Sequence, residues 1–218
     1  LTACTFSAVV FFGARAAAAN DGEAHWIWSP AQTKNEIPVG ECYFRKSFDI
    51  AGPVEGAQVQ ITADNEFELT VNGQPVAKGV DWRQMQIHEV TGLLHKGRNT
   101  IAVRVVNKDA GSAGLAARVI VKQTGGTYEG FSTDDTWRTS IRQFQGWTLP
   151  QFNENDWVAA ASYGELGHAL PWGNEVVIDG EGTRFNIAKE FEVERLMRDE
   201  EVGSLIAMTF DARGNIIA

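Results

Sequence analysis

Strict alternation of apolar and polar residues over short runs most limits what this chain can fold into. Ala57, Val59, Ile61 and Ala63 alternate with Gln58, Gln60 and Thr62, and Phe67, Leu69 and Val71 alternate with Glu68, Thr70 and Asn72. A period of two is the repeat of a strand with one buried face. Ile101, Val103 and Val105 repeat the pattern, as do Leu115, Ala117, Val119 and Val121. Cys42, Phe44, Phe48 and Ile50 form another such face, broken by Lys46, against polar Glu41, Arg45, Ser47 and Asp49. Asn72-Gly73 predicts a hairpin, because both residues tolerate the positive φ of a primed turn, and Val76 to Lys78 is the expected return strand. Gln86 to Val90 and Trp137 to Ser140 read as further strands. The 22 glycines against 6 prolines supply the turns. No segment carries a long amphipathic helical pattern. The expectation is an all-β, antiparallel β-sandwich.

Ala63-Asp64-Asn65-Glu66 reads as a turn between two core strands. Composition shifts at the acidic, glycine-rich stretch Asp179-Gly180-Glu181-Gly182, which marks a boundary. The sandwich is expected over 24–178 and a linker over 179–190. Residues 191–218 are expected to be a short strand segment of a truncated second domain, since so short a tail cannot bury a core of its own. The opening apolar run, followed by Ala17 and Ala19, reads as a signal peptide over 1–19 that has lost its basic start, with cleavage after Ala19. Leu1-Thr2-Ala3-Cys4 offers a lipoprotein reading as the lesser alternative. A secreted or periplasmic location follows, with no transmembrane segment in the mature chain. Cys42 would then stand alone, as a small core residue.

With 218 residues and a net charge of -9, the chain repels a phosphate backbone, so no nucleic-acid partner is expected. His25, His88, His95 and His168 show no metal spacing. There is no nucleophile elbow, phosphate loop or dinucleotide signature, and no carboxylate pair stands out for glycoside hydrolysis. No residue is assigned a catalytic role. What does stand out is seven tryptophans. Flat aromatic faces suit the apolar C–H faces of pyranose rings. Trp26, Trp28, Trp137 and Trp157 sit in strand-like positions and are expected in the core. Trp82 follows Asp81 in a loop and is the leading candidate ligand contact, with packing as the alternative. Asp64 and Asn65 could bind sugar hydroxyls or a structural calcium ion, or simply close their turn. Asn107, with Lys108 and Asp109, is placed in a loop that could reach the same edge as Trp82.

The ordered series Trp26-Ile27-Trp28, Tyr43-Phe44-Arg45-Lys46-Ser47-Phe48, Ala63-Asp64-Asn65-Glu66-Phe67-Glu68-Leu69, Val71-Asn72-Gly73 and Asp81-Trp82 resembles a galactose-binding-like jelly roll. Val90-Thr91-Gly92-Leu93-Leu94, Lys96-Gly97-Arg98-Asn99 and Thr133-Asp134-Asp135-Thr136-Trp137-Arg138 extend the resemblance, which covers about residues 25 to 173. Such modules sit beside catalytic domains in bacterial α-L-rhamnosidases and related glycoside hydrolases. The resemblance implies a non-catalytic carbohydrate-binding accessory module of a larger secreted protein. Phe191 to Leu196 and Gly203 to Asn215 are similar to the first blade of sugar-dehydrogenase-like propellers, which implies a propeller-type downstream domain as the partner within the same chain. A ligand-free scaffold, or the accessory domain of a glycoside hydrolase, are the alternatives. No C-x-x-C-H occurs, so no haem is assigned.

Overall fold

The computed structural model describes residues 23–178 and two short strands, 209–210 and 216–217. The expected signal peptide and linker, and most of the expected propeller start, lie outside the described residues.

Residues 23–178 fold into two facing sheets. The first runs in the order β12 (Ala161–Glu165), β1 (His25–Trp28), β8 (Gly114–Gln123), β3 (Val54–Asp64), β6 (Gln84–Glu89), β13 (Val177–Ile178). Strand β9 (Tyr128–Ser132) pairs with the far half of β8, whose near end is met by β1. The second sheet runs β11 (Val158–Ala159), β10 (Arg138–Ser140), β2 (Gly40–Ile50), β7 (Gly97–Asn107), β4 (Glu66–Val71), β5 (Gln74–Gly79). All pairings in the sandwich are antiparallel except the short β6–β13 contact. A 3-10 turn at Thr91–Leu93 links β6 to β7. The remaining strands, β14 (Thr209–Phe210) and β15 (Ile216–Ile217), pair antiparallel in a separate unit.

The alternating residues do what their period requires. Ala57, Val59, Ile61 and Ala63 of β3 and Leu115, Ala117, Val119 and Val121 of β8 face Cys42, Phe44, Phe48, Ile50, Phe67, Leu69, Val71, Ile101, Val103 and Val105 of the second sheet, and all are buried in one core. Each such side chain withdrawn from water stabilises the fold by about 1.5–3 kcal/mol for the larger ones. Asn72 (φ 49°) and Gly73 (φ 83°) form the expected turn between β4 and β5. Lys46, which breaks the inner pattern of β2, is only half-buried and donates to Thr136 Oγ1.

The expected turn at Ala63-Asp64-Asn65-Glu66 joins two core strands, and these lie in opposite sheets. The chain leaves the first sheet at Asp64 and enters the second at Glu66, through a cis Asp64–Asn65 peptide. The alternation in β2 puts Arg45 on its polar side, and the structure corrects that pattern, since the side chain is fully buried. The loop 141–157 folds over the outer face of the second sheet and brings Glu154 to 2.5 Å from Arg45 Nε. The guanidinium also donates to the carbonyls of Trp147 and Leu149, and lies 5.0 Å from the Phe152 ring centroid.

Removing Arg45 therefore strands both a carboxylate and loop carbonyls. Arg45→Ala is expected to destabilise the fold by about 3–5 kcal/mol, the cost of breaking a buried pair. Arg45→Lys should recover part of that loss, because it restores the charge without the planar fork. Urea unfolding of the variants checks this, and a loss under about 1 kcal/mol for Arg45→Ala would contradict the clamp.

Candidate functional site: an aromatic edge on the outer face of the first sheet

Each sheet also carries an aromatic cover on its outer face. On the first sheet the outward positions Trp26 and Ala116 pack with Met85, Ala169 and Trp172, and the partly buried Trp82 leans on them. The rings of Trp26 and Trp172 stack at 4.2 Å, while Trp82 meets Trp26 edge-on at 6.5 Å. Backbone geometry makes room for this. Gly114 of β8 lies beneath the stack, where a Cβ would come within 2.7 Å of Trp26 Cε3 and 3.0 Å of Trp172 Cζ2. Residues 169–178 deliver Trp172 and then run back along the start of β6, with Val177 N–H donating to Arg83 O at 2.6 Å.

Asp64 is the polar member of this cluster. It ends β3 opposite Gly114, and its Oδ2 accepts the Trp172 indole N–H at 2.9 Å. The other carboxylate oxygen takes no hydrogen bond among the described residues. Burial pushes the Asp64 carboxyl above its usual range, with Asp109 adding to the rise, and the Trp172 N–H and Arg83 opposing it. Trp82 is fixed through its backbone, since its carbonyl accepts from Thr62 Oγ1 at 2.8 Å. The Arg83 guanidinium lies over the Trp82 ring, 4.3 Å from its centroid, and its Nε reaches Glu175 at 3.3 Å.

The residues singled out from sequence divide. Trp82 and Asp64 join one cluster. Asp81 is exposed beside it, and its Oδ1 accepts the Arg83 backbone N–H at 3.0 Å, a turn-closing bond. Asn65 adjoins Asp64, but its side-chain oxygen is engaged by the Lys108 backbone N–H at 2.7 Å. Asn107 is the last residue of β7, at the entry to the loop of Lys108 and Asp109, and is wholly buried. Its amide donates to the carbonyls of Ile37 and Pro38, at 3.2 and 3.0 Å, and its Oδ1 has no partner. Of the tryptophans expected in the core, Trp28 and Trp137 lie between the sheets, whereas Trp26 and Trp157 are buried in the outer covers. Trp172 and Arg83 were missed. The signal for Trp172 is its place in Leu170-Pro171-Trp172-Gly173, an aromatic held in turn residues; Arg83 simply follows Trp82.

This arrangement offers an indole platform and a carboxylate acceptor on one surface. Those are the group types that hold a pyranose through its C–H face and its hydroxyls. An oxygen donor for a hard cation is present as well. Asp64 has an uncommitted carboxylate oxygen, a donor of the kind calcium takes. Among the described residues no three His, Cys, Asp or Glu side chains come together.

Over 156 residues the chain is 31% identical to an α-L-rhamnosidase of Streptomyces avermitilis, a match covering 68% of this chain and 15% of that enzyme. The crystal structure of Streptomyces avermitilis α-L-rhamnosidase complexed with L-rhamnose superposes with a TM-score of 0.66 at 28% identity, over 70% of this chain and 16% of that one. A lectin from the fungus Pleurotus ostreatus superposes with a TM-score of 0.67 at 31% identity, over 71% of this chain and 45% of the lectin. That lectin has also been solved in complex with GalNAc. A GH78-family rhamnosidase from Bacillus gives 0.59 at 29% identity, over 73% of this chain and 20% of the enzyme. No protein-family profile matches the chain. The chain thus spans a small part of the rhamnosidase it matches. Its fold is the galactose-binding-like β-sandwich shared with domains of these rhamnosidases and with the lectin.

The Asp64 environment sets a pH test. A carboxyl whose folded pKa is raised above its unfolded value of about 3.8 costs nothing while protonated in both states, and costs stability as pH rises through the folded value. Asp64→Asn keeps an oxygen for the Trp172 N–H and removes the charge. The variant is expected to melt higher than the parent chain at pH 7, and the difference should vanish at pH 3. A variant that melts lower at pH 7 in metal-free buffer would contradict the buried, unpaired carboxylate.

Proposed function

We propose that this chain is a carbohydrate-binding accessory module whose sugar site is the outer edge of the first sheet at Trp82, Asp64 and Trp172. One observation carries the reading: a buried carboxylate with a free oxygen adjoins a partly open indole, both on one rigid aromatic stack. Similarity to a lectin solved with GalNAc supports the same class of ligand. The module works by holding a glycan near a catalytic partner and so raising its local concentration. Binding is weak, with a Kd near ~1 mM, because an open edge covers little of a sugar.

A calcium ion belongs to this proposal, held at Asp64 and Asn65. It would supply positive charge to bind sugar hydroxyls and would relieve the unpaired Asp64. A secreted or periplasmic location also belongs to it. For the attachment, the match to a short part of a rhamnosidase supports an accessory domain of a glycoside hydrolase. A propeller-type dehydrogenase rests on residues 191–218, of which only β14 and β15 are described.

A second reading, a scaffold without ligand, is favoured by one observation: the Arg83 guanidinium already covers a face of Trp82. The two separate on titration of the 218-residue chain with L-rhamnose and GalNAc, followed by tryptophan fluorescence. A sugar module gives a saturable change that weakens about tenfold in Trp82→Ala, the loss of roughly 1.5 kcal/mol of aromatic stacking. Arg83→Ala uncovers the ring and should strengthen binding several-fold. A scaffold gives no response in any of these proteins. EDTA should abolish the response and calcium restore it; a response indifferent to EDTA removes the ion from the proposal and leaves the sugar site.

A further inference from the structure

We propose that the outer face of the second sheet carries a second ligand site, for an uncharged sugar ring, in the depression formed by residues 143–148. This site lies on the opposite sheet from Trp82 and does not depend on it.

The depression is shallow and open, with a volume of about 560 Å³, and is lined by Gln143, Phe144, Gln145, Gly146, Trp147 and Thr148. The lining holds no charged side chain. Planar amides and a hydroxyl stand beside an aromatic ring, the donors and acceptors that sugar hydroxyls require. Phe144 is 36% exposed, while the apolar neighbours Ile141 and Leu149 are 45% and 38% exposed. Behind it lies a packed aromatic base. Trp147 and Trp157 stack at 5.9 Å, Phe144 packs 6.2 Å from Trp157, and Tyr43 meets Trp147 edge-on at 5.2 Å. Trp157 Nε1 is buried there without a partner.

The backbone of this loop is anchored to the sheet beneath it. The buried Arg45 guanidinium binds the carbonyls of Trp147 and Leu149, and Glu154 pins Arg45. Leu149 is wedged against the Asn72-Gly73 turn, where a Cβ on Gly73 would come within 2.6 Å of its Cδ2. A fully buried, paired arginine is a costly way to fix a loop. Fixing it preorganises the depression, which lowers the entropy cost of binding. An uncharged depression lined by planar amides, a hydroxyl and an aromatic ring suits a ring-sized neutral ligand.

The test uses the 218-residue chain carrying Trp82→Ala, so that the first edge is disabled. L-rhamnose, GalNAc and cellotriose are titrated in turn while the indole N–H signals of Trp147 and Trp157 are followed by proton–nitrogen NMR. The expected result is a saturable shift of both signals with at least one sugar. Phe144→Ala, added to the same background, should weaken it about tenfold without changing the dispersion of the remaining spectrum. Gln143→Ala with Gln145→Ala provides a second variant expected to weaken it. No shift with any of the three sugars up to about 50 mM, well past millimolar affinity, overturns the proposal. So does a shift that all these variants leave intact. A parent chain that responds only through Trp26, Trp82 and Trp172 sustains the first site and overturns this one.

Discussion

Packing of the two inner sheet faces against each other is the contact on which every other feature rests. The alternating side chains of β3 and β8 interdigitate with those of β2, β4 and β7, and that core fixes the strand register. A one-residue slip in any of these strands would turn its apolar set outward. Because register is fixed, the outward positions are fixed too, and the candidate sites lie among them. Trp26, Gly114 and Ala116 are outward on the first sheet; Tyr43, Arg45 and Ala102 are outward on the second.

Part of each outer face is covered. Loop 141–157 covers the second sheet and is held by a buried charge. Residues 163–177 cover the first and are held by stacked tryptophans, with the Trp172 indole N–H on Asp64. The two devices differ in their energetics. The Arg45–Glu154 pair is closed, with the guanidinium satisfied by carboxylate and carbonyls. Asp64 is open: burial works against its charge, and one indole N–H does not offset that burial. A buried charge left short of partners is a place where a ligand or cation gains most by arriving.

How much of this was legible in the sequence follows from the range of each interaction. Period-two patterns and Asn72-Gly73 are local, so the strands and the first hairpin could be read directly. Trp82 and Asp64 could be named as candidates because a loop tryptophan and an Asx pair are local signals as well. Their meeting could not be read, since it runs through Trp26 and Trp172, which are far away in the chain. The fate of Arg45 depends on Glu154, a partner 109 residues away, so its strand pattern alone placed it in water. Asn107 is polar at the end of a strand, which looks like a loop until Ile37 and Pro38 close over it.

The central claim is that a neutral sugar settles on the Trp82 ring and reaches the free oxygen of Asp64. A crystal structure of the 218-residue chain grown with saturating L-rhamnose or GalNAc tests it most directly. The account predicts a pyranose ring against Trp82, Arg83 displaced from that face, and a sugar hydroxyl about 2.7 Å from the Asp64 carboxylate. Crystals that hold the sugar elsewhere, with Arg83 still seated on Trp82 and this edge bare, would contradict it.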